Sequence, residues 1–126
     1  MSRIRTYRDL IAWRKSMDLA SMIYRETRRL PEAERYGLIA QLRRAAVSIP
    51  SNIAEGYARQ TTSDYLRYLR IARGSLAEVS TQLELAIELH LMPANEELTS
   101  QIEEVDRILQ GLIRSLQQTT KKAAIH

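Results

Sequence analysis

Apolar residues return along most of this chain at alternating spacings of three and four. From about Arg8 to Arg29 the recurring positions are Leu10, Trp13, Met17, Ala20, Tyr24 and Thr27. From about Ala33 to Tyr57 they are Leu38, Leu42, Ala45, Ile49 and Ile53. A third run, Tyr65, Leu69, Ala72, Leu76, Val79, Leu83 and Ala86, keeps a seven-residue repeat, and a fourth joins Leu98, Ile102, Val105, Leu109, Leu112 and Leu116. Such spacing gathers apolar side chains on one face of an α-helix, which turns once in 3.6 residues. Breaks fall at Pro31, between Glu55-Gly56-Tyr57 and Thr62, and from Leu91 to Asn95. The pattern predicts helices over 8–29, 33–57, 62–90 and 95–118. Thr62 and Asn95 are expected as N-caps, with Asp64, Glu96 and Glu97 suiting the positive end of the helix dipole.

Four helices with short connections predict an all-α fold, an antiparallel up-down-up-down four-helix bundle. The expected domain is single, residues 1–126, with an ordered core of about 7–118 and a tail of 119–126. Two residues break local rules. Pro50 lies inside the second helix, where it removes a backbone hydrogen bond, and is expected to kink it rather than end it. Gly74 lies inside the third, marking either close approach of a neighbouring helix or backbone access for a partner. Leu19, Ile23, Leu66, Ile87, Ile108 and Ile113 flank the seams. They widen the apolar stripes into either a globular core or a second buried surface against another subunit.

Composition removes most catalytic chemistry. With no Cys the chain can form neither a disulfide nor a thiolate metal site. Only His90 and His126 are histidines, and the residue three before His90 is Ile87, so the Glu-x-x-His motif of di-iron bundles is missing. His90 reads as a cation at a helix C-terminus. Gly37, Gly56, Gly74 and Gly111 are too scattered for a phosphate loop. Glu96, Glu97, Glu103, Glu104 and Asp106 fit the solvated face of an amphipathic helix. The expectation is therefore no enzyme, no metal and no cofactor. The longest uncharged run, Ala45 to Ala54, is too short to span a bilayer. The charged Met-Ser-Arg-Ile-Arg start has no apolar stretch behind it. A soluble, cytoplasmic protein with no membrane partner is expected.

Nineteen bases, sixteen of them Arg, face fifteen acids, a net charge of +4. Folded as an antiparallel bundle, residues 1–15, 52–70 and 114–126 share one end. That end carries 11 bases and 3 acids, net +8, while the remainder carries 8 bases and 12 acids, net −4. Tyr7, Trp13, Tyr57, Tyr65 and Tyr68 lie at the same end, Tyr7 and Tyr57 at chain breaks and Trp13 and Tyr65 on core seams. Basic residues among aromatics suit phosphate neutralisation and base stacking. The candidate nucleic-acid-binding residues are Arg43, Arg44, Arg59, Arg67, Arg70 and Arg73. Arg67, Arg70 and Arg73 form a stripe on the third helix, and Arg43 and Arg44 are alternatively partners for Glu55 or Glu78.

The string Gln41-Leu42-Arg43-Arg44-Ala45-Ala46-Val47-Ser48-Ile49-Pro50-Ser51-Asn52-Ile53-Ala54-Glu55-Gly56 resembles that of the four-helix-bundle proteins encoded in 23S rRNA intervening sequences. Asp9-Leu10 with Trp13, Glu34-Arg35-Tyr36-Gly37-Leu38, and Ile71-Ala72-Arg73-Gly74-Ser75-Leu76 match as well. The likeness runs from about Tyr7 to Leu116, with Tyr7 where Phe is frequent and Ser16 where Ala is common. It implies homopentameric assembly and places the flanking apolar residues at a subunit interface. A more distant similarity to the basic pentameric accessory proteins of diversity-generating retroelements implies binding to nucleic acid and a reverse transcriptase. Three roles stay open: a phosphate-binding RNA or DNA partner, an adaptor docking an enzyme, or a passenger without essential activity.

Overall fold

The computed structural model describes the backbone of residues 3–125 and the side chains of residues 3–119. Four helices form: α1 Ile11–Thr27, α2 Leu38–Ala58, α3 Thr62–Glu88 and α4 Glu96–Ile125. Short 3-10 turns occupy Tyr7–Asp9 and Glu32–Glu34, and no strand occurs among the described residues. The all-α, four-helix expectation is met. The tips differ from it for local reasons. The α1 helix begins three residues later than expected because Thr6 and Asp9 close a capping box around a separate turn. The Arg8 N–H donates to the Thr6 hydroxyl at 3.1 Å, and the Thr6 N–H donates to the Asp9 carboxylate at 3.1 Å. Pro31 opens another such turn, which delays α2 to Leu38, whose N–H donates to the Glu34 carboxylate at 3.2 Å. The cap of α3 is Thr61, not Thr62, through its hydroxyl and the Asp64 N–H at 3.1 Å. Asn95 caps α4 as expected, accepting from the Leu98 N–H at 3.1 Å. That helix continues past residue 118, its expected end, to Ile125.

At the end of α3 the chain reverses through His90, the one residue with positive φ among those described, at 60°. Its N–H donates to the Ile87 carbonyl at 3.0 Å, and the Leu91 N–H donates to that of Ala86 at 2.9 Å. This is the two-bond helix stop in which glycine is the preferred residue, because a Cβ is penalised in the left-handed region. His90→Gly is therefore expected to raise the unfolding free energy by about 1 kcal/mol, read from a denaturant melt.

The faces of α2 and α3 are buried largely as their periodicity requires. Leu42, Ile49, Ile53, Leu69 and Val79 are fully enclosed, each stabilising the fold by about 1.5–3 kcal/mol relative to an exposed position. The α2 helix passes through Pro50 without ending, and the proline is buried in the packing. The α1 face is rotated from the expected one. Met17 and Tyr24, expected inside, are exposed, while Leu19 and Ile23, expected beside the seam, are fully buried. Ser16 and Thr27 share this buried face because their hydroxyls donate to the carbonyls of Ala12 at 2.6 Å and Ile23 at 2.7 Å. Leu66 is buried as well, and Ile87, Ile108 and Ile113 pack partly buried against the core. Leu19, Ile23 and Leu66 thus belong to the interior of one chain, while Ile87, Ile108 and Ile113 stay partly exposed at its edge.

The most extensive helix pairing is α2 against α3; α1 packs on α2, and α4 packs on α3 and α1. The Ser48 and Ser75 hydroxyls meet at 2.8 Å between α2 and α3. Nearer the turn, a Cβ added to Gly56 would lie 2.8 Å from the Tyr68 Cβ, so only glycine fits the spacing. Ion pairs tie Lys15 to Glu104 at 3.1 Å and Arg73 to Asp106 at 2.8 Å. This packing is compatible with a four-helix bundle. Gly74 has no neighbouring atom within 4 Å of its added Cβ. Close approach of another helix in the chain is therefore not what that glycine serves.

Candidate nucleic-acid interface

The close approach at Gly56 assembles the main cluster. It sets Glu55 and Arg59, at the end of α2, beside Arg67 and Tyr68, one turn into α3. Arg59 donates to the Glu55 carboxylate at 2.7 Å and to the Tyr68 hydroxyl at 2.7 Å, with its guanidinium 4.9 Å from the Tyr68 ring centroid. Arg67 donates to the same hydroxyl at 3.3 Å and lies 5.0 Å from the same centroid. Two guanidiniums thus share one aromatic ring; Glu55 pairs with Arg59, and the Asp64 carboxylate adds a weaker attraction. The Glu55 carboxylate, followed by Tyr68, raises the Arg59 pKa further above its ordinary value, so the cation persists at any relevant pH. Exposed pairs such as Arg59–Glu55 contribute little, so a phosphate can displace the carboxylate. Beneath the cluster, burial and then Tyr57 push the Tyr65 hydroxyl up to about 12. Tyr65 is a neutral wall rather than an acid or base.

A second basic surface lines an open groove of about 830 Å³ between α3 and α4. Arg70 and Arg114 border it without an ion-pair partner among the described residues. Arg73 borders it too, but its guanidinium is bound to Asp106, which raises its pKa. The other Asp106 oxygen accepts from the Gln110 amide.

The six candidate arginines therefore do not form one patch. Arg59 and Arg67 converge on Tyr68; Arg70 lies free at the α3–α4 groove; Arg73 is paired across it. Arg44 is exposed and has no partner among the described residues. Arg43 turns toward the end of α1, where it donates to the Thr27 hydroxyl at 2.9 Å and the Tyr24 carbonyl at 3.3 Å, with its guanidinium 4.7 Å from the Tyr24 centroid. Neither Glu55 nor Glu78 is its partner. The aromatics at the chain breaks are engaged as well: Tyr7 meets Trp13 edge-on at 5.2 Å, and Tyr57 meets Tyr65 at 6.1 Å. The side chains of Lys121 and Lys122, counted in the basic end, lie outside the described residues.

Tyr68 and Arg114 were not among the candidates. Both belong to the basic, aromatic end counted from the sequence, but only the packing reveals Tyr68 as the hinge of the cluster and Arg114 as a border of the groove. Among the described residues no three His, Cys, Asp or Glu side chains gather as a metal site, and no helix is long and apolar enough to cross a membrane.

Taken together, these features define a small all-helical protein that presents guanidinium groups from a helix turn and a groove. The chain belongs to the 23S rRNA-intervening sequence protein family, whose model matches residues 8–111. It is similar to a crystal structure of a protein of unknown function from the S23 ribosomal protein family of Bacteroides thetaiotaomicron. That likeness has a TM-score of 0.73 and 25% identity over 82% of this chain and 98% of the other. No curated protein matches the chain.

Proposed function

We propose that this chain is a non-enzymatic protein that binds RNA or DNA through phosphate contacts, as an oligomer of antiparallel bundles. The observation that carries the proposal is the Arg59–Arg67–Tyr68 cluster. Its guanidiniums are exposed, held in place by the ring between them, and only Arg59 is hydrogen-bonded to a carboxylate. Arg70, Arg114 and Arg44 extend the unpaired charge. Phosphate contacts of this kind position a nucleic acid without reading its bases, so sequence preference is expected to be small. Five copies, the number that the family resemblance suggests, would repeat the cluster around an axis and let several weak contacts act together.

Crosslinking in cells followed by sequencing of the bound nucleic acid tests the proposal. Recovery of RNA or DNA fragments without a shared motif, lost in an Arg59→Ala plus Arg67→Ala variant, is the expected result. A protein partner that survives nuclease treatment, with no nucleic acid recovered, would favour the adaptor role instead.

A further inference from the structure

Two faces outside the core carry apolar side chains in helical register. The first joins Met17 and Tyr24, seven residues apart on α1, to Val47 on α2; they are 42%, 41% and 43% exposed. With Trp13 and Pro50 they line an open groove of about 750 Å³. The second runs along α3 through Ile71, Leu85 and Leu89, which are 44%, 46% and 54% exposed. Single exposed apolar residues need no explanation. Here they share one side of a helix: Met17 and Tyr24 are two turns apart, and Ile71 and Leu85 four.

The charges beside the two faces are opposite. Arg25 and Arg28 border the first, and neither has an ion pair among the described residues. Glu78 lies midway between Ile71 and Leu85 on the second face and is likewise unpaired among the described residues, while Arg67, one turn before Ile71, is held on Tyr68. The first face set against its own copy would bring arginines together, and the second would bring carboxylates together. Set against each other, they match in both apolar content and charge.

We infer that the α1–α2 face of one copy docks onto the α3 face of a second copy. The inference rests on the oligomeric, antiparallel reading proposed above and assigns its surfaces. Such a contact is heterologous, the kind that closes into a ring or runs on as a filament. The levels along the helices agree. Arg43 of α2 meets Tyr24 and Thr27 of α1, and Ser48 of α2 meets Ser75 of α3. In antiparallel order, Arg25 and Arg28 then stand level with the stretch of α3 that follows Glu78. A neighbouring copy placed side by side needs no shift along the helix axis.

The test uses two surface variants of the full chain, Met17→Glu with Val47→Glu and Ile71→Lys with Leu85→Lys, weighed by light scattering. The wild type is expected at a multiple of its 14.5 kDa chain mass, and each variant at the chain mass alone. Each variant keeps the face that the other has lost, so an equimolar mixture is expected to form a one-to-one dimer. A mixture that stays monomeric, or a variant that keeps the wild-type mass, overturns the inference while leaving the oligomer in place. A monomeric wild type overturns both. Should either variant lose helicity by circular dichroism, Arg28→Glu decides: it is expected to reduce the mass, and Glu78→Arg in the same chain is expected to restore it. Failure of that restoration also overturns the inference.

Discussion

Gly56→Ala is expected to lower the unfolding free energy by about 1–2 kcal/mol, although alanine is the better helix former by about 1 kcal/mol. The added Cβ would lie 2.8 Å from the Tyr68 Cβ, 3.1 Å from the Tyr65 ring and 3.2 Å from the Tyr65 carbonyl oxygen. None of these is the free end of a flexible side chain. Relief therefore requires α2 and α3 to separate, and overpacking of this kind typically costs about 1–3 kcal/mol. Gly111 is the control, since nothing lies within 4 Å of its added Cβ. Gly111→Ala is expected to stabilise by about 0.5–1 kcal/mol. Denaturant melts at one protein concentration separate the two, because the apparent stability of any chain that self-associates depends on concentration. Equal effects at the two glycines would show that the α2–α3 approach is not tight. Because Tyr68 orients Arg59 and Arg67, the alanine at residue 56 is also expected to weaken nucleic-acid binding.

The same glycine marks how far the sequence reaches. On α2 and α3 the buried positions were legible, because Leu38, Leu42, Ile49, Ile53, Leu69, Leu76 and Leu83 stand apart from the polar residues around them. On α1 only Ala20 and Thr27 of the expected face are buried. Two apolar stripes run side by side there, and the buried one includes Ser16, whose polarity hides it until its hydroxyl is seen to bond the preceding turn. Helix starts were misplaced where a capping box or a proline-led 3-10 turn used residues of good helical character. The candidate arginines were legible as a composition, not as a site. Whether a guanidinium is free depends on contacts 16 to 33 residues away, such as Arg43 with Thr27 or Arg73 with Asp106, and no local pattern encodes these.

The central claim is phosphate binding by the exposed arginines, and a salt titration addresses it. Each neutralised phosphate releases a counterion, giving a slope of log K against log salt of roughly −0.9 per contact on duplex and about −0.7 on single strands. Arg67→Ala with Arg70→Ala removes two exposed guanidiniums per chain, neither of them in an ion pair among the described residues. Two lost duplex contacts reduce the slope by about 1.8. Between 50 mM and 200 mM salt the wild type then loses about tenfold more affinity than the variant. Arg43→Ala is the matched control. Its guanidinium is held by Thr27 and Tyr24, so the slope is expected to stay at the wild-type value while stability falls by about 1–2 kcal/mol. The decisive measurement is the wild-type slope against that of the double variant, taken on one duplex after light scattering has matched their masses. A shallower slope for the variant, with unchanged sequence preference, is the predicted result; equal slopes, or no wild-type binding at 50 mM salt, would contradict the account.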